Sequence, residues 1–120
     1  MLRDAEHAYT LRNVRSGRTV ASQIELALDS KSRRRGLLGR DRFDEGAALI
    51  IAPCNAIHTF FMRFAIDVVF VARDGRVLKT CASLAGKRIA FSARAFAVIE
   101  LPAGTISQSD ARPGDFMQLA

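Results

Sequence analysis

The amino-acid sequence predicts a mainly β fold in which short strands build a sandwich or barrel around a single helix. Short segments with alternating or unbroken apolar residues recur along the chain, and that pattern is typical of strands. Turn residues separate the segments, most clearly at Ser16-Gly17, Asp74-Gly75 and Pro113-Gly114. We find no repeat, low-complexity tract or linker, so we expect one domain over residues 1–120, with residues 1–7 frayed.

Three strands are predicted in the first half of the chain. Tyr9–Val14 is a weak candidate that a turn separates from the next segment. In Thr19–Leu28 the even positions are mostly apolar, which indicates a half-buried strand. Ala47–Ala52 is an unbroken apolar run that ends at Pro53, the pattern of a strand buried on both faces.

One helix is predicted over Asp29–Arg40, between the second and third strands. Asp29 or the following serine can cap its first turn, Leu37 and Leu38 supply a small apolar face, and Gly39 can end it in a left-handed conformation. A helix of about ten residues needs tertiary contacts to be stable.

The second half of the chain continues the β pattern. Aromatic and β-branched residues are common in two of its segments, and Asp74-Gly75 predicts a hairpin with a type I′ turn because both residues tolerate positive φ. The predicted strands are Ile57–Met62, Ile66–Ala72, Arg76–Leu84, Ala95–Leu101 and Phe116–Leu119.

Composition excludes several classes of protein. The chain is 49% hydrophobic and 25% charged, with 3 Pro and 8 Gly, which is unlike collagenous, disordered or membrane-spanning chains. Its charged N-terminus lacks an apolar stretch of signal-peptide length, so we expect a cytoplasmic protein. Cys54 and Cys81 are then expected to be free thiols, and without a C-x-x-C motif or a nearby histidine pair they do not indicate zinc.

The net charge of +6 is concentrated in residues 31–42, where six basic residues accompany one acidic residue. Arg33, Arg34 and Arg35 fall in the first turn of the predicted helix, where the helix dipole disfavours positive charge. They therefore indicate either an anion contact or a solvated face. Nucleic acid is an unlikely partner because the chain has one Tyr, no Trp and no interleaved aromatic and basic residues.

Three ionisable residues, His58, Asp67 and Glu100, occur in otherwise apolar rows of the predicted strands. Buried charges need partners, and Arg40 or Arg63 could supply them in a structural ion-pair network. His58 and Asp67 are also two members of a catalytic triad, although no nucleophile lies in a recognisable motif. A metal site would need all three residues to converge. We expect no metal and no cofactor.

Four motifs in order resemble the prokaryotic family catalogued as domain of unknown function 192, from about residue 18 to the C-terminus. The resemblance implies a compact bent sheet or barrel-like β-sandwich of about seven to nine short strands with one or two short helices, and no established activity. The sequence departs from many relatives by carrying Arg63-Phe64-Ala65 where they have Lys-Asn-Thr. The motifs are Arg33–Arg40, Ile57–Phe70, Val98–Gly104 and Pro113–Asp115, and the family's positions within them fall on Arg33, Gly36, Leu37, Arg40, Thr59, Met62, Asp67, Glu100 and Gly104.

These observations lead to the hypothesis of a polar cleft between the helix and the strands. The first interpretation is a non-catalytic binding or accessory module for a small anionic ligand or an acidic protein segment. A small hydrolase or transferase using His58 and Asp67 is the second, and a structural partner in a larger assembly is the third. No membrane partner is expected, and the oligomeric state stays open. The predicted ligand-binding residues are Arg33, Arg40, His58, Thr59, Met62, Arg63, Asp67 and Glu100.

Overall fold

Ten strands and two short helices are formed by residues 9–120, the part of the chain that the computed structural model describes. The predicted frayed residues 1–7 lie outside this part. In chain order the elements are β1 (Leu11–Asn13), β2 (Thr19–Ala21), β3 (Gln23–Ala27), α1 (Ser30–Arg35), β4 (Ala47–Ile51), β5 (Ala56–His58), β6 (Ile66–Val71), β7 (Val77–Leu84), β8 (Ile89–Phe91), β9 (Ala97–Pro102), α2 (Thr105–Ser109) and β10 (Met117–Leu119).

A five-stranded sheet with the order β3-β4-β9-β6-β7 forms the centre of the molecule. Its strands pair antiparallel except for β3 and β4, which are parallel and are connected through α1. All six residues of β6 are buried, as expected for a strand whose two faces are both covered. The sheet is open, with β3 and β7 as its edge strands.

Two apolar clusters lie on the opposite faces of this sheet. The first includes Val69 and Ile99 and packs against the small sheet β10-β1-β2 and α2. The second includes Val68 and Val98, the neighbouring positions on the same two strands, and is joined by Leu37 from the chain after α1. The two-stranded ribbon of β5 and β8 contributes to the second cluster as well. Because successive strand residues face opposite sides, each central strand supplies both clusters.

The mainly β, sheet-based fold is confirmed, with one strand more than the expected range. Ser22 interrupts the predicted strand Thr19–Leu28 and divides it into β2 and β3. The backbone N–H groups of Ser22 and Gln23 both donate to the Gly46 carbonyl oxygen there. The predicted strand at Ile57 stops at His58 instead of Met62. Neither β8 nor α2 was predicted from its residues. No helix within residues 9–120 is long and apolar enough to cross a membrane.

The predicted helix Asp29–Arg40 is wrong in its length. Asp29 is its N-cap, accepting a hydrogen bond from the Ser32 N–H at 2.8 Å. The helix ends at Gly36, which has a φ of 48°, instead of at Gly39. The three arginines therefore occupy the last turn, where the helix dipole favours positive charge. The expectation that they work against their own helix is corrected by this early end.

The predicted type I′ turn at Asp74-Gly75 is also wrong, although the hairpin forms between β6 and β7. A type I′ turn needs positive φ at both central residues, and here only Gly75 has it, with a φ of 90°. The Gly75 N–H donates to the Ala72 carbonyl oxygen at 2.9 Å. Asp74 instead stabilises the turn by accepting a hydrogen bond from the Arg76 N–H.

Candidate functional site

A cavity of about 240 Å³ lies between α1, the chain that follows it, and the strands β4, β5 and β9. One side is formed by the last turn of α1 and the two leucines after it, and the other sides by strand and loop residues. The lining residues are Arg33, Arg34, Arg35, Gly36, Leu37 and Leu38, followed by Ile51, Cys54, Ala56, Ile57, His58, Met62 and Glu100.

Glu100 is the buried charge-bearing residue of this cavity, with 4% of its surface exposed. It lies on the central strand β9, opposite Leu49 of β4 and Val68 of β6. No group within residues 9–120 forms a hydrogen bond with its carboxyl. Burial raises the pKa of Glu100 to about 7, while the charge of Arg40 acts in the opposite direction. At neutral pH the carboxyl is therefore close to half ionised.

Arg33, Arg34 and Arg35, called here the arginine wall, form one side of the cavity. Arg33 donates to the Leu28 carbonyl oxygen at 2.7 Å, which ties it to the chain before α1. Arg34 and Arg35 are exposed, and no hydrogen bond or ion pair joins their side chains to another group in the described part of the chain. Arg33 and Arg35 act at longer range on the carboxyls of Asp29 and Glu25, but no carboxylate of the described residues contacts the guanidinium groups of Arg34 and Arg35.

Arg40 lies beside the cavity and is held by another carboxylate. Its guanidinium donates two hydrogen bonds of 2.8 Å to the two oxygens of Glu25. This bidentate pair lowers the pKa of Glu25. It also joins the chain between α1 and β4 to the edge strand β3. Arg40 reaches Glu100 only through its charge, so its contacts are mainly structural.

The remaining walls are apolar apart from His58 and Cys54. His58 is exposed at the end of β5, with its ring 5.3 Å from that of Phe60. The Cys54 thiol donates to the Ala56 carbonyl oxygen at 3.1 Å, and both it and Cys81 are free. Met62 packs against the second apolar cluster. These walls give a ligand hydrocarbon to contact between the polar ends of the cavity.

Two predicted ligand-binding residues, Thr59 and Arg63, do not line this cavity. The buried Thr59 hydroxyl donates to the Gly86 carbonyl oxygen and accepts from the Arg88 N–H. Arg63 forms an exposed ion pair with Asp41. Both residues fasten loops, and neither contributes to the cavity surface.

Asp67 lies on the opposite face of the central sheet, the face of Val69 and the first apolar cluster. It is completely buried and accepts three backbone hydrogen bonds, from Ser83 at 2.9 Å, Gly104 at 3.1 Å and Ile106 at 2.8 Å. These bonds occupy both carboxylate oxygens. The expectation that Asp67 shares a cleft with His58 and Glu100 is therefore corrected: the sheet separates them.

The cavity combines predicted and unpredicted residues. Of the predicted set, Arg33, His58, Met62 and Glu100 line it. Arg34 and Arg35 were predicted only as part of the basic segment that indicates an anion contact or a solvated face, and they were not in the predicted ligand-binding set. Sequence reasoning missed Ile57, whose apolar character resembles that of any strand residue. No group of three or more His, Cys, Asp or Glu side chains in residues 9–120 is arranged to hold a metal ion.

Two solved structures share this fold. A protein of unknown function from Novosphingobium aromaticivorans superimposes with a TM-score of 0.79 at 23% identity, over 92% of this chain and 83% of that one. A protein from Sinorhizobium meliloti described as a candidate transcription regulator has a TM-score of 0.76 at 24% identity, over 92% and 91% of the two chains. At these identities the similarity concerns the fold.

No curated protein matches the sequence. A family model does match, over residues 11–119, which extends the resemblance seen from residue 18 further towards the N-terminus. The matched segment contains every strand and both helices described above. The chain belongs to the uncharacterised family DUF192, described as "Uncharacterized ACR".

Proposed function

We propose that this protein is a non-catalytic binding module and that its cavity takes a small anionic ligand. The observation that carries the proposal is the arginine wall, in which Arg34 and Arg35 have no partner within the described residues. Guanidinium groups bind carboxylate and phosphate groups through paired hydrogen bonds. His58, which also lines the cavity, can add a second donor.

The size of the cavity supports a small molecule over an acidic protein segment. Its volume of about 240 Å³ is below the roughly 300–1,000 Å³ of pockets that hold drug-sized ligands. Glu100, the deepest polar group, is 4% exposed, so a folded or extended protein segment on the surface would not reach it. A compact anion with a few carbon atoms fits this space better.

The placement of Asp67 supports binding over hydrolysis. A histidine base needs a carboxylate that orients its ring and stabilises its charged form. Asp67 was the residue expected in that role, and its oxygens are bonded to backbone N–H groups on the far face of the sheet. His58 therefore acts here as a binding group at the cavity mouth.

The proposal is tested by calorimetric titration with acetate, succinate and inorganic phosphate at low ionic strength. The double variant Arg34→Gln/Arg35→Gln should weaken the best-binding anion about tenfold, because one paired, charge-assisted contact is lost. Arg76→Gln/Arg94→Gln is the matched control, since it removes the same charge from two exposed arginines outside the cavity. Equal weakening by both variants, or no binding of any of these anions by the unmodified protein, would contradict the proposal.

A further inference from the structure

We propose that the ligand is a small zwitterion, with its acidic group against the arginine wall and its ammonium group against Glu100. The inference rests on the proposed function, because the acidic group occupies the anion site described above. It adds the second half of the ligand, which the arginines alone do not specify.

The first step of the argument concerns the carboxyl of Glu100. It is 4% exposed, lines the cavity and has no hydrogen-bond partner within residues 9–120. As far as residues 9–120 are concerned, the hydrogen bonds of this carboxyl are left to water that enters the cavity. A ligand that displaces this water must bring a hydrogen-bond donor, since an unsatisfied buried carboxyl would oppose binding.

The second step concerns the charge that this donor carries. Arg40 is the cation whose charge lowers the pKa of Glu100. Its guanidinium, however, already donates hydrogen bonds to both oxygens of Glu25. The ionised form of Glu100 thus has no contacting counter-ion among the described residues. An ammonium group would supply one in a site shielded from water, where opposite charges attract more strongly than in solution. A ligand that carried only negative charge would be repelled there.

The third step concerns the apolar part of the cavity lining. Leu37, Ile57 and Met62 line the cavity together with the arginine wall and Glu100. A lining that combines charged groups of both signs with apolar side chains favours a ligand whose charges are separated by a short hydrocarbon segment. Amino acids with the amino group at the far end of the chain have this design.

The experiment is a calorimetric series with glycine, β-alanine, 4-aminobutyrate, 5-aminovalerate and 6-aminohexanoate. Each is compared with the hydroxy acid and the unsubstituted carboxylate of the same chain length. In the unmodified protein the best amino acid should bind at least tenfold more tightly than both analogues. In Glu100→Gln that preference should fall to less than threefold, while Glu45→Gln, which changes an exposed glutamate outside the cavity, should retain it.

The outcomes separate the two proposals. If carboxylates or hydroxy acids bind as tightly as the amino acids, the anion site stands and the zwitterion is wrong. If neither these compounds nor inorganic phosphate bind, the proposed function itself fails. If Glu100→Gln does not fold, a pH series on the unmodified protein still tests the inference.

Between pH 6 and pH 8 the affinity of the unmodified protein for the best amino acid should rise as Glu100 ionises, and its affinity for the matched carboxylate should not. Parallel pH profiles would overturn the inference.

Discussion

Glu100 and Asp67 are two buried carboxyls on adjacent strands whose surroundings differ in hydrogen-bond donors. In the β6–β9 register Glu100 lies opposite Val68, the residue next to Asp67. Asp67 accepts three backbone N–H groups on one face, and Glu100 faces the cavity on the other. Hydrogen bonds stabilise a buried carboxylate, whereas burial alone disfavours it. Asp67 therefore serves the fold, and Glu100 is available to a ligand.

The replacement Glu100→Gln should change how stability depends on pH. The pKa of Glu100 is raised from 4.5 to about 7, so the folded protein holds its proton more tightly than the unfolded chain does. This contribution is fully present below about pH 4.5 and is lost as pH rises through about 7, a change of about 3 kcal/mol. Relative to the unmodified protein, the variant should therefore gain that amount of unfolding free energy between pH 4.5 and pH 8.

Urea denaturation at several pH values measures this difference. Carboxylates with lowered pKa values, such as Asp115, are present in both proteins and cancel in the comparison. A difference between the two proteins that is constant across this pH range would show that Glu100 does not titrate as described.

The replacement Asp67→Asn should destabilise the fold by about 3 kcal/mol. The amide nitrogen that replaces one oxygen cannot accept a hydrogen bond, so it leaves at least one of the three partly buried backbone N–H groups without its partner. Asp74→Asn is the control, because Asp74 is exposed and accepts a single backbone hydrogen bond. It should cost less than about 1 kcal/mol. Equal losses in chemical denaturation would refute the structural role of Asp67.

At the scale of elements, the β6–β7 hairpin depends on a close approach between its turn and the strand β10. Gly75 has a φ of 90°, and its N–H and carbonyl contact Ala72 and Met117. A Cβ atom at this position would collide with the Met117 carbonyl oxygen. Glycine is required here for space as well as for conformation.

The replacement Gly75→Ala should therefore lower the unfolding free energy by about 3 kcal/mol or more. Gly114→Ala is a matched control, since Gly114 has a φ of 95° and no atom within 4 Å of an added Cβ. It tests the backbone strain alone and should cost about 1 to 2 kcal/mol. Thermal or urea denaturation of both variants measures the difference, and similar losses would show that contact with Met117 is unimportant.

At the scale of the whole molecule, local patterns predicted the central strands and long-range pairing decided the site. Ala47–Ile51 was predicted to within one residue because its apolar run is continuous, and Ile66–Val71 equally well because it is rich in aromatic and β-branched residues. The short strand Ile89–Phe91 was missed because two of its three residues are exposed. Its place depends on pairing with β5, which no local pattern contains.

The candidate site was likewise predicted where local patterns were sufficient and missed where long-range pairing decided the outcome. Sequence reasoning identified Arg33, His58, Met62 and Glu100 from three separate segments, and the structure places them around one cavity. It could not tell that Asp67 faces away, because the side on which a residue lies relative to a residue of another strand depends on their register. It also placed the arginines in the wrong turn of α1 by expecting the helix to end at Gly39 rather than Gly36.

The arginine wall belongs to a connection, since α1 and the residues after it link the parallel strands β3 and β4. The pairing of β3 begins with the Gly46 carbonyl oxygen, which accepts from the Gln23 N–H, and residues 30–45 are not part of the strand ladder. Changes of length or composition in exposed positions of residues 30–45 can therefore alter which ligands are accepted while leaving the strand pairing intact. Ligand choice and folding are in this way open to separate evolutionary adjustment in one small chain.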